Sequence, residues 1–167
     1  MMPRNRLTLL GVVAALIVLA VDQASKWWIL YKLDLPGVGQ VVVLPVLNFT
    51  MVWNRGVTFG LLNGFGGWSY LVLAGVAFAV VVALGMWLRR AESRVVAASL
   101  GAIVGGALSN VLDRLRYGAV VDFIQAHIGA WSWYVFNVAD AAIVCGVVTL
   151  LLESLLRRPD QARSSEG

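Results

Sequence analysis

The sequence is short of the side chains on which most metal and nucleophilic chemistry depends. It has one cysteine, Cys145, and one histidine, His127, in 167 residues. A lone cysteine forms no internal disulfide, and this pair cannot assemble a His/Cys metal site or a Cys–His nucleophile. Charge is scarce as well: 13% of the residues are Asp, Glu, Lys or Arg, where a soluble domain carries about 25%. Apolar residues fill the gap, at 60% of the chain, against roughly 45–50% in an ordinary globule. So small a chain has too much surface for its volume to hide that excess inside itself. The remaining solvent is lipid, and the length fits one domain.

Four apolar stretches, Leu7–Leu30, Trp68–Leu88, Val95–Leu112 and Tyr134–Leu152, each approach the length a helix needs to cross a bilayer. Helices are required because lipid offers no partner to a bare backbone amide or carbonyl. Arg4 and Arg6 before Leu7–Val21, with Val18-Leu19-Ala20 as a passable cleavage site, also resemble a secretory signal. Apolar residues resume at Ala24 and run through Leu30, and three further spans follow, so the first stretch is read as a retained helix.

The basic residues orient the bundle. Arg4 and Arg6 precede span one, Arg89, Arg90 and Arg94 separate spans two and three, and Arg157, Arg158 and Arg163 follow span four. Cytoplasmic loops carry such an excess, so both termini and the hinge between spans two and three are expected on the cytoplasmic side. The net charge of +4 then reports topology and not nucleic-acid binding. Cys145, in mid-span, is expected to be a small core residue. Trp27, Trp28, Trp68, Trp131 and Trp133 are expected at the outer boundary and Trp87 at the inner one.

The fold class expected is an all-α membrane bundle of four helices with a small β-rich external segment over about residues 33–66. Val41–Trp53 is β-branched and aromatic enough for one or two strands, and Gly64, Gly66 and Gly67 break the chain before span two as a possible hinge. Residues 1–158 are read as a single membrane-embedded domain and 159–167 as a disordered cytoplasmic tail. Asp113–Trp133 is read as an external link between spans three and four. Small residues at helical spacing (Gly101 with Gly105, Gly75 with Ala79 and Ala83, Ala142 with Gly146) are expected to let helices approach closely.

On this topology the polar residues converge just inside the outer surface. They are Asp22 and Lys26 on the first helix, Asn54 and Arg55 in the external segment, Asn110, Asp113 and Arg114 on the third helix, Asp122 in the link, and Asn137 and Asp140 in the first turns of the fourth. A carboxylate within a membrane costs roughly 2.5–3.5 kcal/mol even on lenient scales, which makes Asp140 a functional candidate. For Asp22 and Asp113 a structural ion pair, with Arg114 or Arg116 as the partner, stands as an equal reading. His127, beside Ile128 and Trp131, reads as an interfacial residue, and Ser25 with Lys26 cannot face each other from adjacent helix positions. Two carboxylates remain. A close pair sharing one proton has one member to act as base towards water and another to act as acid towards a peptide carbonyl, with no metal or other cofactor.

The same residues form a recognisable set. Asp22-Gln23-x-x-Lys26, Asn54-x-Gly56-x-x-Phe59-Gly60, Gly105-Gly106-Ala107-x-x-Asn110-x-x-Asp113-Arg114, Gly118-x-Val120-x-Asp122-Phe123 and Phe136-Asn137-x-Ala139-Asp140 resemble the lipoprotein signal peptidase (signal peptidase II) family, in order from the first span to the fourth. The resemblance implies that Asp122 and Asp140 are a catalytic aspartate dyad. It implies that Asn54, Arg114 and Asn137 line or support the active site, and that Asp22, Lys26, Asn110 and Asp113 hold helix ends and loops. It also implies the substrate, a prolipoprotein whose cysteine bears diacylglycerol, cut on the amino side of that cysteine, and an external β-cradle resting on membrane lipid. Ser109, where the family usually has Gly, and Thr58, where Ala is common, depart from the pattern; both are small. A monomer is the default expectation. A transporter is the rival reading, but it calls for ionisable residues at mid-depth, and the inner halves of spans two and three have none.

Overall fold

The computed structural model describes residues 3–56, 68–129 and 131–157. Four helices in it are long and apolar enough to cross a membrane: α1 (Arg4–Tyr31), α3 (Ser69–Leu88), α4 (Arg94–Tyr117) and α5 (Val138–Arg157). A single turn, α2 (Leu35–Val38), lies between α1 and the first strand. Four strands, β1 (Gln40–Leu44), β2 (Leu47–Asn54), β3 (Val120–Ile128) and β4 (Trp131–Ser132), form one antiparallel sheet in the order β1-β2-β3-β4.

Burial is inverted relative to a soluble protein. Leu9, Leu16, Ile17, Val76, Phe78, Leu151 and Leu155 are exposed, whereas Asp22, Lys26, Asp113, Asp122 and Asn137 are buried. Only a surface facing lipid makes that distribution favourable. Cys145 is exposed on α5, which corrects its reading as a core residue: the apolar periodicity around it does not distinguish a lipid face from a protein face.

α4 is the hub of the bundle and packs against α1, α3 and α5. Eleven of its residues are buried, against three on α3. The reason is in its small residues. A Cβ at Gly101 would run into the Gly11 backbone, one at Gly105 into Ala15, and one at Gly106 into Ala139 of α5. Two i, i+4 rows, Gly11/Ala15 and Gly101/Gly105, thus meet face to face and bring α1 and α4 together. Gly146 likewise sits against Ile103 and Ser99. Gly75 has open space where a Cβ would be, so its spacing with Ala79 and Ala83 does not mark a close approach there.

The ends of α4 are set locally. Ser93 caps its start, the hydroxyl accepting from the Val96 N–H at 3.1 Å. Gly118, at φ +68°, closes it with its N–H donating to the Arg114 carbonyl, a left-handed step that glycine takes without a Cβ penalty. The chain then turns straight into β3. The link between the third and fourth spans is therefore a central strand and not a loop, and the external sheet is built from both outer connections. Val120, Val121 and Phe123 are buried β formers, with Val121 and Phe123 packing on Ile29 and Leu35. The fourth helix also starts later than Tyr134: residues 133–135 are irregular and Phe136 bridges to Ile124. The Gly64–Gly67 hinge reading, Thr58 with Phe59 and Gly60, and the tail at 159–167 lie outside the described residues.

Candidate active site

The site grows outward from the packing of α1 on α4. Asp22 and Lys26 are one turn apart on α1, and their side chains meet at 2.7 Å. Lys26 Nζ also lies 2.6 Å from Asp113 Oδ2 on α4. The ion-pair partner of both acids is therefore Lys26, not Arg114 or Arg116. Arg114 donates to the carbonyl of Asn110 on its own helix at 3.1 Å, and Arg116 donates to Gln23 Oε1 at 2.9 Å. Two carboxylates around one ammonium, all three nearly inaccessible, need further hydrogen bonds to remain charged. They have them. Ser109 Oγ donates to Asp22 Oδ2 at 2.6 Å, and Gln23 Nε2 donates to Asp113 Oδ1 at 2.9 Å.

Each acid also reaches beyond the triad to a backbone amide. Asp22 Oδ1 accepts from the Ala139 N–H at 2.8 Å, in the first turn of α5. Asp113 Oδ2 accepts from the Val121 N–H at 3.1 Å, at the start of β3. The triad thereby holds in place the two segments that carry Asp140 and Asp122.

The second layer is made of amides. Lys26 Nζ donates to Asn110 Oδ1 at 3.1 Å, and Asn110 Nδ2 donates to Asp140 Oδ1 at 2.8 Å. Asn137, immediately before α5, accepts from the Asp140 N–H through Oδ1 at 2.9 Å, and its own N–H points to Asp140 Oδ2 at 3.3 Å. That reciprocal pair is a capping box with Asp in the position usually held by Glu or Gln. Asn137 Nδ2 donates to Asp122 Oδ1 at 2.6 Å, so one residue touches both carboxyl groups. Asn54, at the end of β2, completes the set by donating to Asp122 Oδ2 at 2.9 Å, and its orientation is fixed because its Oδ1 accepts from Gly56 N–H.

Asp122 is 1% exposed. Burial pushes its carboxyl up to about 6; the hydrogen bond from Asn54 opposes that rise, the like charge of Asp140 adds to it, and Asn137 and Lys26 pull it back. A cleft of about 750 Å³ opens beside it, lined by Trp53, Asn54, Arg55, Asp122, Trp133 and Tyr134. A buried carboxyl at the wall of an aromatic cleft, joined through Asn137 to a second carboxyl, is an arrangement suited to proton transfer.

The nine residues to which the resemblance gives a role all occur in this neighbourhood: Asp22, Lys26, Asn54, Asn110, Asp113, Arg114, Asp122, Asn137 and Asp140; Arg55 lines the cleft. Among the described residues no α3 side chain enters the network, which is built from three helices and two strands. Asn137 precedes α5 and does not lie within it. Gln23 and Ser109 are network members to which the sequence reading gave no role; Gln23 is part of the first motif and Ser109 stands beside Asn110, and that was the available signal. His127 lies on β3 with Nε2 buried and unpartnered among the described residues, away from the carboxyl pair. Among the described residues no three His, Cys, Asp or Glu side chains group as a metal site.

With this geometry established, comparison with known proteins decides the family. A family model described as Signal peptidase (SPase) II matches residues 14–156. The chain belongs to the signal peptidase II family. A lipoprotein signal peptidase of Methylorubrum extorquens (strain PA1) is 52% identical over 149 residues, covering 89% of this chain and 87% of that one. Another, from Methylobacterium radiotolerans, is 46% identical over 94% of this chain and 93% of its own length. Two solved bacterial membrane enzymes, determined by the in meso method, share the fold. One superposes with a TM-score of 0.76 at 25% identity over 90% of both chains, and the other with 0.75 at 26% over 89% of this chain and 93% of that one. The family match spans four of the five motif blocks completely within the described residues and runs from α1 into α5.

Proposed function

We propose that this signal peptidase II family member is an aspartic endopeptidase that removes the signal peptide from diacylglyceryl-modified prolipoproteins, cutting on the amino side of the lipidated cysteine. The observation that carries the reading is Asn137 holding Asp122 and Asp140 together beside the cleft. The family and its lipoprotein signal peptidase relatives support the substrate class.

The chemistry follows from a carboxyl pair that shares one proton. The ionised member takes a proton from water as the water oxygen bonds to the scissile carbonyl carbon. The protonated member hydrogen-bonds the carbonyl oxygen while negative charge develops there. When the C–N bond breaks, a proton passes to the leaving nitrogen, and the pair returns to its starting state. No cofactor enters. Asn54, Asn110 and Asn137 orient the pair; Asp22, Lys26 and Asp113 position the segments that carry it; Arg114, whose charged neighbours include all three of Asp113, Asp122 and Asp140, balances the local negative charge.

Residues 1–158 act as one membrane-embedded, monomeric domain of the inner membrane, both termini cytoplasmic, with the site near the outer face among membrane lipids and no nucleic-acid partner. Exposed Trp27, Trp28, Trp131 and Trp133 beside the sheet agree with an interfacial belt. The test is cleavage of a prolipoprotein by the purified protein in detergent, with and without the diacylglyceryl group, and mass determination of both products. The reading requires cleavage of the lipidated form alone, with lipidated cysteine as the new amino terminus. Equal cleavage of the unlipidated form, or a cut elsewhere, contradicts it.

A further inference from the structure

The two carboxyl groups are not held alike. Asp140 lies in the first turn of α5, where the unpaired amides of the helix start favour negative charge. Its Oδ1 faces Asn110 Nδ2 and its Oδ2 faces a backbone N–H. Asn110 cannot turn over. Its oxygen is engaged by Lys26 Nζ, a group that only donates, and by Asn137 Nδ2 at 3.3 Å, so its NH₂ stays directed at Asp140. Asp122, by contrast, is on a strand, with no helix end behind it. It accepts from two uncharged side-chain amides, is nearly fully buried, and lines the cleft where a substrate carbonyl would arrive.

Resting on the aspartic dyad proposed above, we propose that Asn110, oriented by Lys26, is the positioning residue that makes Asp140 the ionised base and leaves the shared proton on Asp122 as the acid. Charge at a distance does not make this assignment. The groups facing the pair are Asp22 and Lys26 from α1, Asp113 and Arg114 from α4, and Arg55 at the cleft. Lys26 is offset by the two acids that flank it at 2.7 and 2.6 Å. Lys26 and Asp22 act on Asp140 in opposite senses, and the direct contact from the triad side is one amide of fixed direction.

The assignment has an observable signature, because two different amides stabilise the two carboxylates. Removing a donor from a carboxylate raises its pKa. If Asp140 is the base, Asn110→Ala shifts the rising, acidic limb of the pH–activity profile upward and narrows the profile. If Asp122 is the acid, Asn54→Ala lets it keep its proton to higher pH, shifts the falling limb upward and broadens the profile. Each shift should be roughly one pH unit, the size expected for loss of one hydrogen bond to a charged group. The experiment is kcat against pH on a lipidated prolipoprotein for wild type, Asn110→Ala and Asn54→Ala in detergent. Narrowing in the first variant and broadening in the second is the result expected. Broadening by Asn110→Ala with narrowing by Asn54→Ala, or no shift in either, overturns the assignment. Asn54 is exposed at the end of β2, so its variant folds even if Asn110→Ala does not, and the direction of its shift alone decides. A wild type without peptidase activity overturns the dyad reading itself, whereas a wild type with activity and the opposite shifts overturns only the proton assignment.

Discussion

The two halves of α4 hold the bundle together by opposite means. From Ala97 to Gly105 the helix presents buried Ala, Leu, Ile and Gly, and Gly101 and Gly105 let the α1 backbone come into contact. From Ser109 to Asp113 the same helix presents a hydroxyl, an amide and a carboxylate to Asp22, Gln23 and Lys26 of that same neighbour. The first half gains from close packing in a solvent that supplies no hydrophobic drive between helices. The second half is costly as isolated charges and stable only as a completed set, because each polar atom left unpaired there bears its full desolvation penalty. Packing makes the bundle, and the polar end aims two carboxyl groups.

That contrast can be broken most severely at Lys26. Lys26→Met leaves Asp22 and Asp113 buried without their cation, and removing one partner of a buried ion pair costs about 3–5 kcal/mol. We expect a large drop in thermal stability in detergent and loss of peptidase activity with it. A near-native melting temperature would show that the triad is dispensable.

The next effect is one of pH. Asp122 is held up at about 6 in the folded chain, above the roughly 3.9 of an unfolded Asp. Its folded form binds the proton more tightly, so its contribution to stability is fully present below about pH 4 and is lost as pH rises through about 6. The wild-type melting temperature should carry this downward component between about pH 4 and about pH 7, and Asp122→Asn should lack it. Identical slopes in the two proteins would place Asp122 in a more solvated setting than its burial indicates.

In the apolar half, Gly101→Val drives a side chain into the Gly11 backbone and should destabilise by about 1–3 kcal/mol, as overpacking does. Gly75→Ala, which meets nothing, should be neutral or stabilise slightly through helix propensity. Comparing the melting curves of these two variants sharpens the distinction between a glycine that permits contact and one that does not. Asn137→Ala is expected to cost about 1 kcal/mol of stability for a lost helix cap. Its effect on activity should be larger, on the order of 10²-fold, since both carboxyl groups lose their common support. The kcat measured beside the melting temperature separates the two.

Much of this was legible before any coordinates. The four spans follow from apolar length, and Asp140 stood out from the cost of a carboxylate in that setting, whereas Asp122, outside the spans, came only with the family resemblance. The Gly101/Gly105 seam was legible from its spacing. What was hidden shares a physical cause. β3 lies between two helices in a segment whose Gly118 and Asp122 read as loop, although Val120, Val121 and Phe123 are strand formers; pairing with β2 decides it, and pairing is not local. The partner of Asp113 was hidden because Arg114 and Arg116 are adjacent in the chain while Lys26 is distant, and only the close approach of α1 to α4 brings it in. Asn137 was expected within the helix because the apolar run begins before it, whereas its side chain caps the first turn. Cys145 shows the converse limit: in lipid, an apolar position does not say which way it faces.

The central claim is that Asp122 and Asp140 together perform the hydrolysis. Its most direct test is cleavage of a diacylglyceryl-modified prolipoprotein by purified wild type, Asp122→Asn and Asp140→Asn in detergent, with melting temperatures taken on the same samples. The account requires signal-peptide release by the wild type and none by either folded variant. Release by a folded variant at a rate near that of the wild type would contradict it.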